Sequence, residues 1–454
     1  MSGNKDAEKA GRPNTARRAV LTGGAVGLAA VAGSALGRSQ PAEAQTLNPS
    51  VEDWINVTNN AGLTKLAKGN GTTDDTAAIQ AALTAASPGE VVYLPGPTLG
   101  STIVGTYLVS SPLVVPKGVI LAGCVPVGEL ASGFTGHYGS TLRVSSSWAQ
   151  GSAAEPGVIV VDGSSATQYN CAIKDLWIDC HTGPAPSGVH GIATAGSVFH
   201  LVIDRVGIVA PTGMGIYAPN QSTGRPDGWQ ISNMIIEEPV SDGVHYEGQD
   251  CWMSNVHVQN GNTNGTGDGF VIKGGNNRLI GCRADSCTNG YTIDTRQNGQ
   301  FFGSTILSAC GTESNLENGL NVINSSSSST AMSDPVIANG CSFDGDGISG
   351  TPYAGIGVYG ANIVILNGCN ICVAGSTLSP QYALTFTNAV SGTRNPGGSD
   401  PTLIQALGGF WQAVSSTLVN GSDANTVLSY GVHGFTGGQF GHGDAVATFE
   451  HNQL

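Results

Sequence analysis

The chain has 454 residues and a formal net charge of −14, and only 11% of its residues are charged. A chain this acidic repels nucleic acid and anionic membranes, so neither is expected as a partner. Its 67 glycines and its many small and β-branched residues are typical of short strands and tight turns.

Residues 1–44 are predicted to be a Tat-type export signal. Arg17 and Arg18 precede a weakly apolar run, and the sequence AEA ending at Ala44 fits a signal-peptidase site. The alternative is a retained membrane anchor, but no later stretch reaches the ~18–20 apolar residues of a spanning helix. Cleavage leaves 12 of the 18 basic and 29 of the 32 acidic residues, a formal charge of −17. We therefore expect a secreted, extracellular bacterial protein.

The sequence GNGTTDDTAAIQAALTAA over 69–86 predicts a short helix. Thr73 is the expected N-cap, and Asp74 and Asp75 would lie in the first turn, where carboxylates favour the positive end of the helix dipole. A catalytic role for the two aspartates is the alternative. Helical spacing places an apolar face toward the interior, formed by Ile79, Ala82, Leu83 and Ala86.

From about residue 170 onward, one phrase recurs every 22 to 31 residues. Its aligned polar positions are Asp175, Asp204, Asn233, Asn255, Cys282, Cys310 (or its neighbour), Cys341 and Cys369. A second phrase follows each copy by about ten residues and begins with Asp-Gly or Asn-Gly before an alternating strand, as in DGVHYEG at 242–248. Repeats of this length with short strands predict a solenoid of stacked coils. Equivalent residues would then form ladders inside the stack.

The ten cysteines follow this repeat, which favours buried, reduced thiols over a disulfide framework. One or two disulfides remain the alternative, with Cys180 or the pairs Cys282/Cys287 and Cys369/Cys372 as the candidates.

The N-terminal motifs carry a family resemblance. KGNGTTDDTAAIQAALTAA, GEVVYLPGPT and TYLVSSPLVVPKGVILAG resemble the pectate-lyase-like superfamily, most closely its rhamnogalacturonase and epimerase-type branch. The resemblance is specific over 51–123 and general to about 390. It implies an all-β fold, in which residues 45–390 form a right-handed single-stranded parallel β-helix that begins with a capping helix. Residues 391–454 would add C-terminal strands or a cap.

The resemblance also implies that a polysaccharide binds along a groove outside one sheet. Strand alternation predicts that Glu247, Lys273 and Asp294 point outward from three consecutive coils. Two coils separate the carboxylates by about 9–10 Å, close to the spacing of an inverting glycosidase. The lysine between them would lower both pKa values and oppose a general acid, so a structural ion ladder is the alternative.

Substrate contacts at the same face are predicted for His245, Tyr217 and Arg296. Tyr217 and Asn321 share the column of His245, and Arg296 lies just beyond a strand end. His190, His200 and His257 lack metal-ligand spacing and are interpreted as structural.

A lyase would need a different set, with Lys273 or Arg296 as the base. Calcium would then bind through Asp242, Asp268 and Asp285, although these aspartates are also explained as turn residues. The aspartate motifs of polygalacturonases are absent from the sequence.

The sequence therefore predicts an exported enzyme that cleaves a polysaccharide. Hydrolysis is favoured because the mature chain is so acidic, and no cofactor is expected unless a lyase uses calcium. Polysaccharide lyase activity and non-catalytic, tailspike-like glycan binding are the alternatives, and a homotrimer is left open.

Overall fold

A computed structural model describes the fold. The residues it describes are 54–97, 104–124, 139–180, 187–261, 267–294, 303–323, 334–349, 353–359, 363–372, 380, 382–387, 389–390, 393–394, 403–412, 419–421, 426–430, 433–434 and 446–450. The predicted signal segment and Arg296 lie outside these residues.

Short parallel strands make up almost all of the regular structure. Helix α1 spans Thr76–Ala85. The strands are β1 (Ile55–Asn56), β2 (Asn70–Asp74), β3 (Val91–Tyr93), β4 (Thr106–Val109), β5 (Leu113–Val114), β6 (Ile120–Ala122), β7 (Thr141–Val144), β8 (Gly157–Tyr169), β9 (Ala172–Asp179), β10 (His190–Phe199), β11 (Val202–Val209), β12 (Ile216–Ala218), β13 (Pro226–Asp227), β14 (Gln230–Glu237), β15 (Val244–Tyr246), β16 (Trp252–Gln259), β17 (Phe270–Lys273), β18 (Arg278–Ile280), β19 (Arg283–Asp285), β20 (Tyr291–Asp294), β21 (Thr305–Ser308), β22 (Gly311–Glu313), β23 (Leu320–Ile323), β24 (Val336–Asn339), β25 (Ser342–Asp344), β26 (Ala354–Tyr359), β27 (Ile363–Asn367), β28 (Asn370–Cys372), β29 (Tyr382–Thr387), β30 (Ala389–Val390), β31 (Thr393–Arg394), β32 (Leu403–Leu407), β33 (Phe410–Trp411), β34 (Val419–Gly421), β35 (Thr426–Tyr430), β36 (His433–Gly434) and β37 (Val446–Glu450).

These strands wind into a right-handed parallel β-helix, as the sequence predicts. Each coil contributes a bent strand, or two short ones, to the first sheet and one strand to the second sheet. The second sheet stacks β5, β8, β10, β12, β15, β17, β20, β23, β26, β29 and β34 in that order. Valine, isoleucine and leucine fill the interior between the sheets, because alternate strand residues point inward.

In each coil of the first sheet, the strand bends at a residue in the left-handed backbone conformation. The location of this residue differs from the repeat alignment that the sequence predicted. Asp175, Arg205, Asn233 and Asn255 occupy this position with φ between 52° and 56°, so Asp204 lies one residue before the position that was predicted for it. In the later coils the left-handed position holds Gly281 and Gly340, so each cysteine follows one residue after it. Because one residue reverses the face, the cysteines point inward and the asparagines outward.

The two ladders therefore run on opposite faces of the same bend, and the prediction of ladders inside the stack is correct for the cysteines but wrong for the asparagines. Outside, Asn255 donates to Asn233 (3.0 Å), and Asn233 donates to Asp204 (2.9 Å). Inside, Cys282, Cys310, Cys341 and Cys369 are buried in one column. All ten cysteines are unpaired, so the alternative of one or two disulfides is not met.

Helix α1 begins later than predicted. Its N-cap is Asp75, whereas Thr73 and Asp74 belong to β2. Asp75 is buried and accepts hydrogen bonds from the backbone of Lys68 (2.6 Å) and Gly69 (3.0 Å), so its carboxylate fixes the preceding loop. The predicted apolar face is confirmed, since Ile79, Ala82 and Leu83 are buried and Ala86 is partly buried against the core.

The strands near the C-terminus extend the first sheet. β32 pairs with β27 and β35, and β35 pairs with β37, all in parallel. Among the described residues, no helix has the length and apolar character needed to cross a membrane.

Candidate active site

The second sheet places the predicted site residues on neighbouring strands. Tyr217 of β12 pairs with His245 of β15, and Lys273 of β17 pairs with Asp294 of β20. Glu247 follows β15 directly and lies in the column of Lys273 and Asp294. The register that alternation predicts is therefore confirmed.

His245 links two carboxylates at the centre of the site. Its Nδ1 lies 2.7 Å from Asp242, and its Nε2 lies 2.8 Å from Glu247. Ionised carboxylates only accept hydrogen bonds, so both ring nitrogens donate and the imidazole is held as a cation. Its side chain is 11% exposed.

Glu247 is held as an anion by several donors. The Lys273 ammonium donates to Oε1 (2.7 Å), and the backbone N–H of Asn220 donates to Oε2 (3.0 Å). Burial alone would raise the pKa of Glu247, but the hydrogen bonds from His245, Lys273 and Asn220 lower it far below its usual range. Burial likewise opposes the charge on His245, yet Asp242 and Glu247 raise the pKa of His245 above its ordinary value.

Aromatic rings extend the site toward the N-terminal coils. The half-buried Tyr217 ring meets His245 edge-on at 5.8 Å and stacks on His190 at 4.6 Å. Burial lowers the pKa of His190 to about 4, and its Nδ1 accepts the backbone N–H of Met214 (2.9 Å). His190 is therefore neutral and structural, whereas Tyr217 is half-buried and contributes an aromatic ring of the kind on which sugars stack.

Glu155 is a second carboxylate beside Tyr217, and sequence reasoning missed it. The Gln221 amide donates to its Oε1 (2.6 Å), and both Glu155 and Glu247 raise the pKa of Tyr217, after burial. Glu155 stands in the loop before β8, outside the repeated phrases, so no periodic signal points to it. Burial raises the pKa of Glu155 itself, aided by the nearby charge of Asp162.

Two predicted positions do not fit the open groove that was expected. Asp294 lies in the predicted column, but it is only 1% exposed. Asn321, which was expected to face outward, donates to Thr292 (3.1 Å), and Thr292 in turn donates to Asp268. Polar side chains thus fill the outer face of this part of the sheet. Asp294 cannot serve with Glu247 as a substrate-contacting carboxylate pair.

Only two of the three aspartates proposed for calcium, Asp242 and Asp268, lie next to each other. Asp268 accepts from Asn289 through its backbone N–H (3.0 Å) and its amide (2.9 Å), while its own N–H donates to Asp242 (3.1 Å). Asp285 lies in the first sheet and contacts His257 at 2.8 Å. In the part of the chain that the structure describes, no group of three or more His, Cys, Asp or Glu side chains is arranged to hold a metal ion.

Fold and site together define a parallel β-helix protein with a charged cluster on the outside of one sheet. Residues 54–292, just over half of the chain, match the family described as rhamnogalacturonase A/epimerase, pectate lyase-like. The chain belongs to this family. No curated protein matches it in sequence.

Solved structures share the fold at low sequence identity. The A-module of mannuronan C-5 epimerase AlgE6 from Azotobacter vinelandii is 19% identical, with a TM-score of 0.51 over 86% of this chain and 92% of that chain. The catalytic unit of a GH87 alpha-1,3-glucanase from Streptomyces thermodiastaticus is 15% identical, with a TM-score of 0.50 over 90% and 69%. Pre-mature gene product 12 of bacteriophage phi29 is 15% identical, with a TM-score of 0.54 over 81% and 51%. At these identities the likeness concerns the fold.

Proposed function

We propose that this protein is an exported enzyme that hydrolyses a polysaccharide bound across the outer face of the second sheet. The observation that carries the proposal is the anionic Glu247, held by His245, Lys273 and the Asn220 N–H beside the half-buried Tyr217 ring. Family membership and the carbohydrate-active proteins among the solved structures support a glycan as the substrate.

The arrangement suits the charge that develops during glycoside cleavage. The transition state carries positive charge near the anomeric carbon, and a fixed carboxylate stabilises it. His245 and Lys273 keep Glu247 ionised and oriented, while Asp242 orients His245 from the other side. Tyr217 supplies the apolar ring face that positions a sugar unit.

Hydrolysis fits the cluster better than elimination by Lys273. An elimination base must offer a free lone pair, whereas the Lys273 ammonium donates to Glu247 at 2.7 Å. The second candidate is nevertheless β-elimination or epimerisation of a uronide. It is favoured by the cationic His245 and Lys273, which would neutralise a substrate carboxylate.

A product assay on a polysaccharide panel tests the proposal. The panel includes neutral glucans and uronate polymers, and each is assayed for new reducing ends and for the ultraviolet absorbance of an unsaturated product. Hydrolysis predicts reducing ends without that absorbance. Absorbance at the new chain ends would establish the lyase instead, and glycan binding without any product would establish a binding protein.

The Lys273→Met variant separates the two chemistries once a substrate is found. A lyase that uses Lys273 as its base would lose its activity, whereas a hydrolase would retain part of it because Glu247 keeps His245 and Asn220 as donors. The matched control is Lys117→Met, whose side chain lies over the Tyr169 ring away from the cluster.

A further inference from the structure

One short loop connects the two carboxylates beside Tyr217. After β12, the backbone N–H of Asn220 donates to Glu247, and the side chain of the next residue, Gln221, donates to Glu155. Gln221 and Gly224 close this loop with two mutual backbone hydrogen bonds of 2.9 and 3.0 Å. The positions of both carboxylates are therefore set by the same turn.

The two carboxylates have opposite surroundings. Glu247 contacts the ammonium of Lys273 and the imidazolium of His245. Glu155 is bonded to a neutral amide, the nearby charge is the carboxylate of Asp162, and no cationic side chain pairs with it among the described residues. These surroundings lower the pKa of Glu247 and raise the pKa of Glu155, so the two values are moved apart in the direction that a glycosidase needs.

The amide of Gln221 has a fixed orientation. Its oxygen accepts the backbone N–H of Gly196 (3.0 Å), so its nitrogen must face Glu155. The nitrogen donates to Oε1 of Glu155 at 2.6 Å, which leaves Oε2 to carry a proton. Gln221 thereby selects which oxygen is protonated.

We propose that Glu155 is the catalytic acid of this site and that Gln221 is the residue that positions it. This inference rests on the proposed hydrolysis. Glu155 gives its proton to the glycosidic oxygen as the bond from that oxygen to the anomeric carbon breaks. A water oxygen forms the new bond to the anomeric carbon and loses a proton to solvent while Glu247 stabilises the positive charge, and Glu155 regains a proton from solvent.

The test compares two substrates of different leaving-group quality. Glu155→Gln is assayed on the glycan and on an aryl glycoside of the same oligosaccharide with a good leaving group. A lost general acid lowers kcat on the glycan by at least ~10²-fold, but it affects the aryl glycoside far less because that leaving group needs no proton. The matched control, Glu313→Gln, changes an exposed glutamate of the first sheet and should leave both rates unchanged.

The pH profile of Gln221→Leu is a second readout, which a purely structural role of Gln221 would leave unchanged. Loss of the donor destabilises ionised Glu155, so the basic limb of the kcat/KM profile against pH should shift to higher pH. This variant also decides the question if Glu155→Gln does not fold.

The inference would be overturned if folded Glu155→Gln lost kcat equally on both substrates or kept wild-type rates on both. It would also be overturned if the basic limb of the Gln221→Leu profile did not shift. If the wild-type protein releases no product from any glycan, the proposed hydrolysis itself fails, and the inference fails with it.

Discussion

His245 lies between two carboxylates and is largely buried, so its charge is coupled to the folded state. Burial by itself would lower its pKa, but the hydrogen bonds to Asp242 and Glu247 raise it above the ordinary value. A histidine with a raised pKa stabilises the fold fully below the pKa of the unfolded chain, and this contribution disappears as the pH rises through the folded pKa.

Replacing His245 should therefore change how stability depends on pH. The contribution of His245 to the free energy of unfolding of the wild type is expected to decline as the pH rises above the usual histidine value of about 6.5. His245→Gln should lose this decline, because glutamine does not titrate. Denaturant unfolding of both proteins across this rise in pH measures the difference, and parallel curves would contradict the expectation.

A buried carboxylate also makes the free energy of unfolding fall as the pH rises, but in a lower pH range than His245 does. Burial raises the pKa of Asp346 to about 7, although Thr312 and Asn315 donate to it. The folded protein thus holds a proton on Asp346 that the unfolded chain releases near pH 4, and stability falls as the pH rises from about 4 to about 7. Asp346→Asn should flatten this part of the profile. Unfolding curves at the two ends of the range test this, and an unchanged slope would contradict it.

At the residue scale, the sequence could predict which side chains share a column but not what covers them. Alternation correctly grouped Glu247 with Lys273 and Tyr217 with His245, because strand geometry determines both. It could not show that Asp294 is buried, since that depends on how the outer face is filled. Glu155 lies in a loop, where no period applies.

At the element scale, the sequence is best compared with the structure at α1. The sequence predicted the helix and its buried face, but it placed the N-cap two residues early. Thr73 pairs with Asn70 in an exposed strand, whereas Asp75 reaches back to the Lys68–Gly69 backbone. A cap preference alone cannot identify which polar residue makes the long contact.

This difference predicts unequal effects of two substitutions. Asp75→Ala leaves two backbone N–H groups without their acceptor and should cost about 1–3 kcal/mol of stability. Thr73→Ala is the matched control and should change stability by no more than about 0.5 kcal/mol, as for most exposed positions. Denaturant midpoints measure both, and a larger loss for Thr73→Ala would restore Thr73 as the cap.

The cysteine column makes a second prediction at this scale. Thiol titration of the denatured, non-reduced protein should detect all ten thiols, and fewer than six would require disulfides. In the native state, alkylation should begin at the half-buried Cys124 and Cys372, because burial protects the other eight. Mass spectrometry of the alkylated protein identifies the sites, and early modification of Cys341 would contradict the column.

At the scale of the whole molecule, the sequence predicted the solenoid because each coil repeats the same local chemistry. A turn residue with positive φ, an inward apolar strand and an outward polar strand face recur from coil to coil. Each coil packs on its neighbours, so this local pattern specifies the global fold. The chemistry depends instead on loops that differ between coils, such as the one carrying Asn220 and Gln221, and their positions follow no repeat.

The central claim is that Glu247 belongs to a glycan-cleaving site on the second sheet. The most direct test is kcat of Glu247→Gln relative to the wild type on a glycan that the protein cleaves, with Glu313→Gln as the control. Some loss of stability is expected, about 1–3 kcal/mol, because three donors lose a charged acceptor, so the assay must be run on protein shown to be folded. The account predicts that kcat falls at least ~10²-fold for Glu247→Gln and is unchanged for Glu313→Gln. A wild-type rate for folded Glu247→Gln would show that the cluster is a structural ion network and that the active site lies elsewhere.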